Sequence, residues 1–200
     1  MLRALSLARI WDLYHKRLVR GLFAMALCLL LLGNSAKPDA LLLNRDDRQA
    51  GDGQLKLFNT HTNESLNVKY LGQDGQFDQA ALIALNHFFR CHTDEKQAAM
   101  NPELFALLDQ IQDHFGRDKT LQIISGYRSP QLNAYLHSRS NGVAKNSRHM
   151  LGQAIDIRIP GVPARVVYQY AWSLQRGGVG CYTGSNFVHV DVGPVRTWGV

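Results

Sequence analysis

Two histidines and an aspartate have the residue types and spacing that could do chemistry. His149 stands seven residues before Asp156 in Ser147-Arg148-His149-Met150-Leu151-Gly152-Gln153-Ala154-Ile155-Asp156, and His189 follows in Phe187-Val188-His189-Val190-Asp191. Catalytic zinc takes three protein ligands from His, Asp, Glu or Cys and keeps a fourth position open for water. His149, Asp156 and His189 can supply those three. The competing reading is a helix-capping Asp156 with two hydrogen-bonded histidines, and spacing by itself leaves both open. His61, His87, His92, His114 and His137 are read as surface or partly buried side chains without a role. Ser147, His149 and Asp156 do not make a serine-hydrolase triad. The chain has no Gly-Xaa-Ser-Xaa-Gly elbow, and a serine two residues from its own base is poorly placed to bond it.

The elements that must position these residues are legible in the pattern. Gln153 to Ile159 alternates, with Ile155, Ile157 and Ile159 on one face and Asp156 on the other, which predicts a strand presenting Asp156 to a cleft. Gly177-Gly178-Val179-Gly180 is expected to turn the chain into a strand pair ending in Phe187 to Val192, where His189 and Asp191 share a face. Leu121 to Ser125 reads as a buried strand that delivers Gly126-Tyr127-Arg128 into a loop. Ser129-Pro130 then starts a helix running to about Arg139. Upstream, Leu55 to Phe58 and Leu66 to Leu71 flank a turn-rich hexamer and suggest a hairpin. Helices are expected over Ala80 to Phe89, from Asn101-Pro102 to a stop at Gly116, and over Val166 to Leu174.

The first residues read as a targeting device. Arg3, Arg9, Lys16, Arg17 and Arg20 precede the apolar run Gly21 to Leu32 and the small-residue segment Gly33-Asn34-Ser35-Ala36, the order of a secretory signal peptide. The apolar core is about 12 residues, short of the ~20 that span a bilayer as a helix. The expected organisation is a signal peptide over 1–36, a polar linker or arm over 37–54 and one domain over 55–200. Formal charge is +6 for the whole chain; residues 1–36 carry five Lys/Arg and one Asp, so +2 remains after them. A nucleic-acid role, which would need a clustered basic face in the folded domain, is therefore not supported. Membrane contact is expected only through the signal segment. Cys91 and Cys181 remain in the domain; an exported compartment permits pairing, but two cysteines do not establish proximity, and separate thiols are the expectation.

The motifs Ser125-Gly126-Tyr127-Arg128-Ser129, Asn133, Gly142-Val143-Ala144-Lys145, Ser147-Arg148-His149, Gly152-Gln153-Ala154-Ile155-Asp156, Gly177-Gly178-Val179-Gly180, Ser185-Asn186-Phe187-Val188-His189-Val190-Asp191 and Gly193-Pro194 occur in one order. In that order they resemble the zinc D-Ala-D-Ala carboxypeptidase and murein endopeptidase family, within the lysostaphin and hedgehog-like superfamily, over about Leu55 to Trp198. The likeness is greatest to the murein endopeptidase K branch. The resemblance implies an α+β domain whose small antiparallel sheet lines a zinc site and is packed by several helices. It implies Zn²⁺ on His149, Asp156 and His189, and hydrolysis of peptidoglycan cross-link peptides in the periplasm or cell envelope, between two diaminopimelates or between D-Ala and diaminopimelate. Arg128 would face the substrate, where its fork of N–H donors suits a carboxylate or developing oxyanion; Tyr127 and Asn133 are the further substrate-binding candidates.

One position departs from the pattern. The carboxypeptidase branch has a glutamate three residues before the last metal histidine, and this chain has Asn186, whose amide cannot take a proton from water. Asp191 is the nearest ionisable substitute, either as general base or as an acceptor that orients His189. The departure also motivates a rival reading, a non-catalytic zinc-containing peptidoglycan-binding domain. A carboxypeptidase trimming terminal D-Ala is the third.

Overall fold

The computed structural model describes residues 51–140 and 142–199; the signal-like segment 1–36 and residues 37–50 of the arm lie outside the described residues. The described part of the arm is tied down, because the Gly53 amide donates to the buried Asp109 carboxylate at 2.8 Å and Gln54 already opens the first strand.

In chain order the elements are β1 (Gln54–Asn59), β2 (Ser65–Lys69), α1 (Gln79–Phe88), α2 (Pro102–Phe115), β3 (Leu121–Ser125), α3 (Pro130–Arg139), a 3-10 turn (Arg148–Leu151), β4 (Ala154–Arg158), α4 (Ala164–Ser173), β5 (Gly178–Tyr182), β6 (Phe187–Asp191) and β7 (Arg196–Trp198). The start signals act as expected: Asn101 and Ser129 accept backbone N–H groups at the heads of α2 and α3, each followed by proline. Such caps contribute about 1 kcal/mol. Helix α4 starts two residues earlier than its apolar pattern predicts. Its Ala164 amide is bonded by the side chain of Asn186, 22 residues away, at 3.0 Å, a cap supplied by tertiary structure.

The sheet corrects the expectation of a small antiparallel one. It has seven strands in the order β2-β1-β3-β4-β6-β5-β7, and it is mixed: β1 runs parallel to β3, and β5 parallel to β7. Connection length explains the first case, since the β2 hairpin arm and two helices separate β1 from β3 and return the chain in the same direction. Occupancy explains the second. Both edges of β6 are taken by β4 and β5, so β7, which follows β6, pairs beyond β5. At three residues β7 is too short to show a period.

Strand alternation then separates core from cleft. Ile155 and Ile157 of β4, Val188 and Val190 of β6, and Val179 and Cys181 of β5 enter one apolar cluster with Leu85, Phe88, Leu104 and Leu108. Successive side chains leave a strand on opposite faces. Asp156, His189, Asp191, Gly178 and Gly180 therefore all lie on the other face. Cys91 and Cys181 are buried separate thiols, Cys91 beside Thr93 and Ser129. Among the described residues, no helix is long and apolar enough to cross a membrane.

Candidate metal centre and its cleft

The register of β4 against β6 sets Asp156 directly opposite His189. His149 arrives from the 3-10 turn. Ser147 caps that turn, and Gly152 ends it with φ 65°, where a side chain would overlap the backbone oxygen of Ala99. The turn is pinned to the rest of the fold by Asn101 N–H to Gly152 O at 2.8 Å and Arg128 N–H to His149 O at 3.3 Å. All three side chains are buried.

Their polar atoms converge. Asp156 Oδ1 lies 3.2 Å from His149 Nε2 and 2.8 Å from His189 Nδ1, and those two nitrogens are 3.1 Å apart. The outer nitrogens decide where the ring protons reside. His149 Nδ1 is 2.8 Å from the Gly126 carbonyl, an acceptor only, so it carries the hydrogen and donates. His189 Nε2 faces Asp191 Oδ2 at 3.1 Å and donates likewise. In the neutral rings, His149 Nε2 and His189 Nδ1 thus present lone pairs to each other and to a carboxylate. Three acceptors packed this closely require a cation or a proton between them. The described residues contain this group, and the donor set of two imidazoles and one carboxylate matches three-ligand catalytic zinc sites.

The electrostatics agree. Burial opposes charge on Asp156, but His149 and His189 beside it outweigh burial and hold its carboxyl well below the usual carboxylate range. Burial pushes His149 down, toward the neutral form a metal ligand needs. Burial also acts against the charge on His189, but the carboxylates of Asp156 and Asp191 prevail and raise it.

Asp191 lies beyond His189. Fully buried, it accepts from His189 Nε2, from the Gly178 and Gly193 amides at 3.1 and 2.8 Å, and from Arg196 at 2.6 and 3.2 Å, with Arg148 Nε 3.6 Å away. Burial works against its charge, yet these donors hold its carboxyl far below the usual range. Asn186 is turned elsewhere: it adopts the left-handed conformation (φ 49°) tolerated by asparagine and caps α4.

A cavity of about 730 Å³ opens over this centre. One wall is the segment after α3, including Gly142, Val143 and Ala144; the other carries Tyr182, Phe187, Arg196 and Trp198, with Arg128, His149, Asp156 and His189 also lining it. Arg128 donates from Nε to Ser125 Oγ at 2.8 Å and from Nη2 to Asp156 Oδ2 at 2.5 Å, so it braces the carboxylate while bordering the cavity. Tyr127 packs against the core, and Asn133 is buried with its amide donating to the Ala144 and Lys145 carbonyls, holding the first wall; neither is among the lining residues. Asp156 is the one carboxylate among those lining residues.

Sequence reasoning did not single out Arg196, Trp198 and Tyr182. Their signal lay in the glycines. A side chain on Gly178 would strike Asp191 and Arg196, and one on Gly180 would overlap Trp198, so glycine inside β5 marks where these groups approach the sheet.

The family model described as peptidoglycan L,D-endopeptidase MepK matches residues 48–198. The chain is 44% identical over 144 residues to the peptidoglycan L,D-endopeptidase MepK of Escherichia coli K12, covering 72% of this chain and 79% of that one. It is 45% identical over 145 residues to the probable peptidoglycan L,D-endopeptidase MepK of Haemophilus influenzae, covering 72% and 77%. No solved structure matches the chain.

Proposed function

Because this chain belongs to the peptidoglycan L,D-endopeptidase MepK family, we propose that its cleft hydrolyses diaminopimelate cross-links with one zinc ion held by His149, Asp156 and His189. Membership makes it a peptidoglycan-hydrolysing peptidase. The observation that carries the metal reading is the convergence of three lone-pair acceptors at the cavity floor, each with its outer atom already bonded to a fixed partner. Zinc, when bound, supplies a Lewis acid and lowers the pKa of its water to about 7.

The remaining work falls to the chain's own groups. Gly126 O and Asp191 fix the ring orientations and tautomers of His149 and His189. Arg128 braces Asp156 through Nη2 and keeps its Nη1 protons without partners among the described residues, so it can also donate to a developing oxyanion. Asp191 acts as the orienting acceptor rather than the base, since its oxygens are occupied by five donor groups on the far side of His189 from the ligand atoms. The two walls border the space in which the peptide would lie. The bond favoured is the one between two diaminopimelates: an L,D specificity, as the relatives are named, joins an L to a D centre, whereas D-Ala–diaminopimelate joins two D centres. Such a substrate lies outside the cytoplasm, in accord with the signal-like start, and export to the cell envelope is part of this proposal.

Turnover of purified cross-linked muropeptides by the zinc-loaded protein tests it. Shortened monomers are the expected products. Release of free D-Ala would make it a carboxypeptidase, and binding without turnover would make it a binding domain.

A further inference from the structure

Arg196 is held in a way that leaves two of its five N–H donors open. Its Nη1 donates to Asp191 Oδ1 at 3.2 Å and to Pro194 O at 3.0 Å, and its Nη2 to Asp191 Oδ2 at 2.6 Å. A guanidinium has five N–H donors in a rigid fork. Asp191 occupies the end-on Nη1/Nη2 edge. The Nε proton and the second Nη2 proton, which form the side-on edge, have no partner among the described residues. The side chain is 42% exposed and lines the cavity, while the carboxylate that aims it is completely buried. Its Cζ lies over the Trp198 ring, 5.0 Å from the ring centroid.

The other two arginines of the cleft are committed differently. Arg128 spends its side-on edge on Ser125 and Asp156. Arg148 donates to Gln153 and turns Nε toward Asp191. Three arginines against one aspartate give the cavity lining a surplus of positive charge, and Asp191 beneath offsets only part of it. An open, pre-oriented fork in a cationic cleft suits a carboxylate, which it can bind with two parallel bonds at little cost in side-chain ordering.

We propose that the side-on edge of Arg196 anchors the free carboxylate on the residue contributing the amide nitrogen of the scissile bond. The inference rests on the proposed function. In a diaminopimelate cross-link the carbon bearing that nitrogen also bears a carboxylate, so the anion stands one carbon from the reacting amide. Arg196 is correspondingly one side chain from the centre, because Asp191 bonds both it and His189.

The test uses two synthetic cross-linked peptides, identical except that this carboxylate is free in one and a carboxamide in the other. The zinc-loaded full-length protein should prefer the free acid by ~10–100-fold in kcat/KM, mostly through KM, the worth of a charged two-bond contact. Arg196→Gln should lose that preference, the two peptides then differing little in kcat/KM whatever the variant's absolute rate; Arg196→Lys should recover part of the preference. Equal turnover of both peptides by the unmutated protein overturns the proposal. So does an Arg196→Gln variant that slows on both alike, which is what a purely structural role through Asp191 would give. If the unmutated protein cleaves neither peptide, the peptidase reading fails. Calorimetric binding of the same pair then decides the anchor separately: ~10-fold tighter binding of the acid, abolished in Arg196→Gln, upholds it, and equal binding overturns it.

Discussion

His189 and Asp191, two residues apart on β6, meet side chain to side chain, with His189 Nε2 3.1 Å from Asp191 Oδ2. The contact lies on the opposite edge of the ring from Nδ1, which faces His149 and Asp156. A strand repeats its facing every second residue, so this pair is local in origin. Its consequence is not local, because it leaves Nδ1 as the lone-pair nitrogen turned toward the cavity floor.

Asp191→Asn should therefore weaken metal binding by ~10–100-fold and lose activity that added zinc restores, the signature of an orienting partner. A variant that keeps its zinc yet loses ~10²–10⁴ in rate would identify Asp191 as a proton acceptor in the reaction instead. Metal titration alongside turnover separates the two.

His149→Ala and His189→Ala should each lose stoichiometric zinc by metal analysis while remaining folded by circular dichroism. Chelation of the unmutated protein should abolish turnover, and zinc should restore it. Zinc should also raise the Tm of the unmutated protein and not of the two variants, because an ion that binds only the folded state stabilises it by mass action. A full zinc equivalent in both variants would show the site to be wrong.

Gly177→Ala should destabilise the domain by about 1–3 kcal/mol, the usual cost of overpacking. A Cβ there would overlap the backbone oxygen of Asp191, which cannot swing away as a side chain could. Gly184→Ala is the control: nothing lies within 4 Å of the added carbon, and a surface change of that kind stays within about 0.5 kcal/mol. Denaturant midpoints of the two variants should differ accordingly.

Asp109 gives stability a pH dependence outside the metal centre. Burial, opposed by bonds from Tyr70 and Gly53 and reinforced by Asp113 and Asp52, pushes its carboxyl up to about 6 from 3.8. The folded state then binds more protons than the unfolded state between about pH 4 and pH 6, so stability falls as pH rises through that window and levels off above it. The contribution is of the order of 2 kcal/mol after allowance for screening. Asp109→Asn should remove this fall, and the difference between the two urea-denaturation curves across pH 4–7 isolates it. Parallel curves would mean that Asp109 titrates alike in both states.

Much of the frame was readable because its signals are local. Asn101-Pro102, Ser129-Pro130 and the Ile155/Ile157/Ile159 alternation each act within a few residues, and they produced the expected helices and the expected strand. The same alternation assigned Asp156 to the face away from the core. Residue type and order likewise singled out His149, Asp156 and His189, whose ligand atoms the fold brings within 4.8 Å of one another.

What the chain could not reveal locally depends on strand pairing and on contacts between distant residues. The parallel β1/β3 and β5/β7 pairs and the three-residue β7 follow from which sheet edges remain free once β6 is enclosed. Asn186 looked like a vacant catalytic position and instead caps α4, a role that exists only because the β5–β6 turn packs at the head of that helix. Arg196 looked like any arginine near a chain end until β7 laid it against Asp191 and Trp198. By themselves the residue types determined what chemistry was possible, because donor atoms and short-range backbone preferences belong to the residues. Which nitrogen of His189 faces the cleft, which arginine keeps an open fork and which carboxylate is enclosed were decided by tertiary structure, because each depends on a partner that only the folded sheet brings within hydrogen-bonding distance.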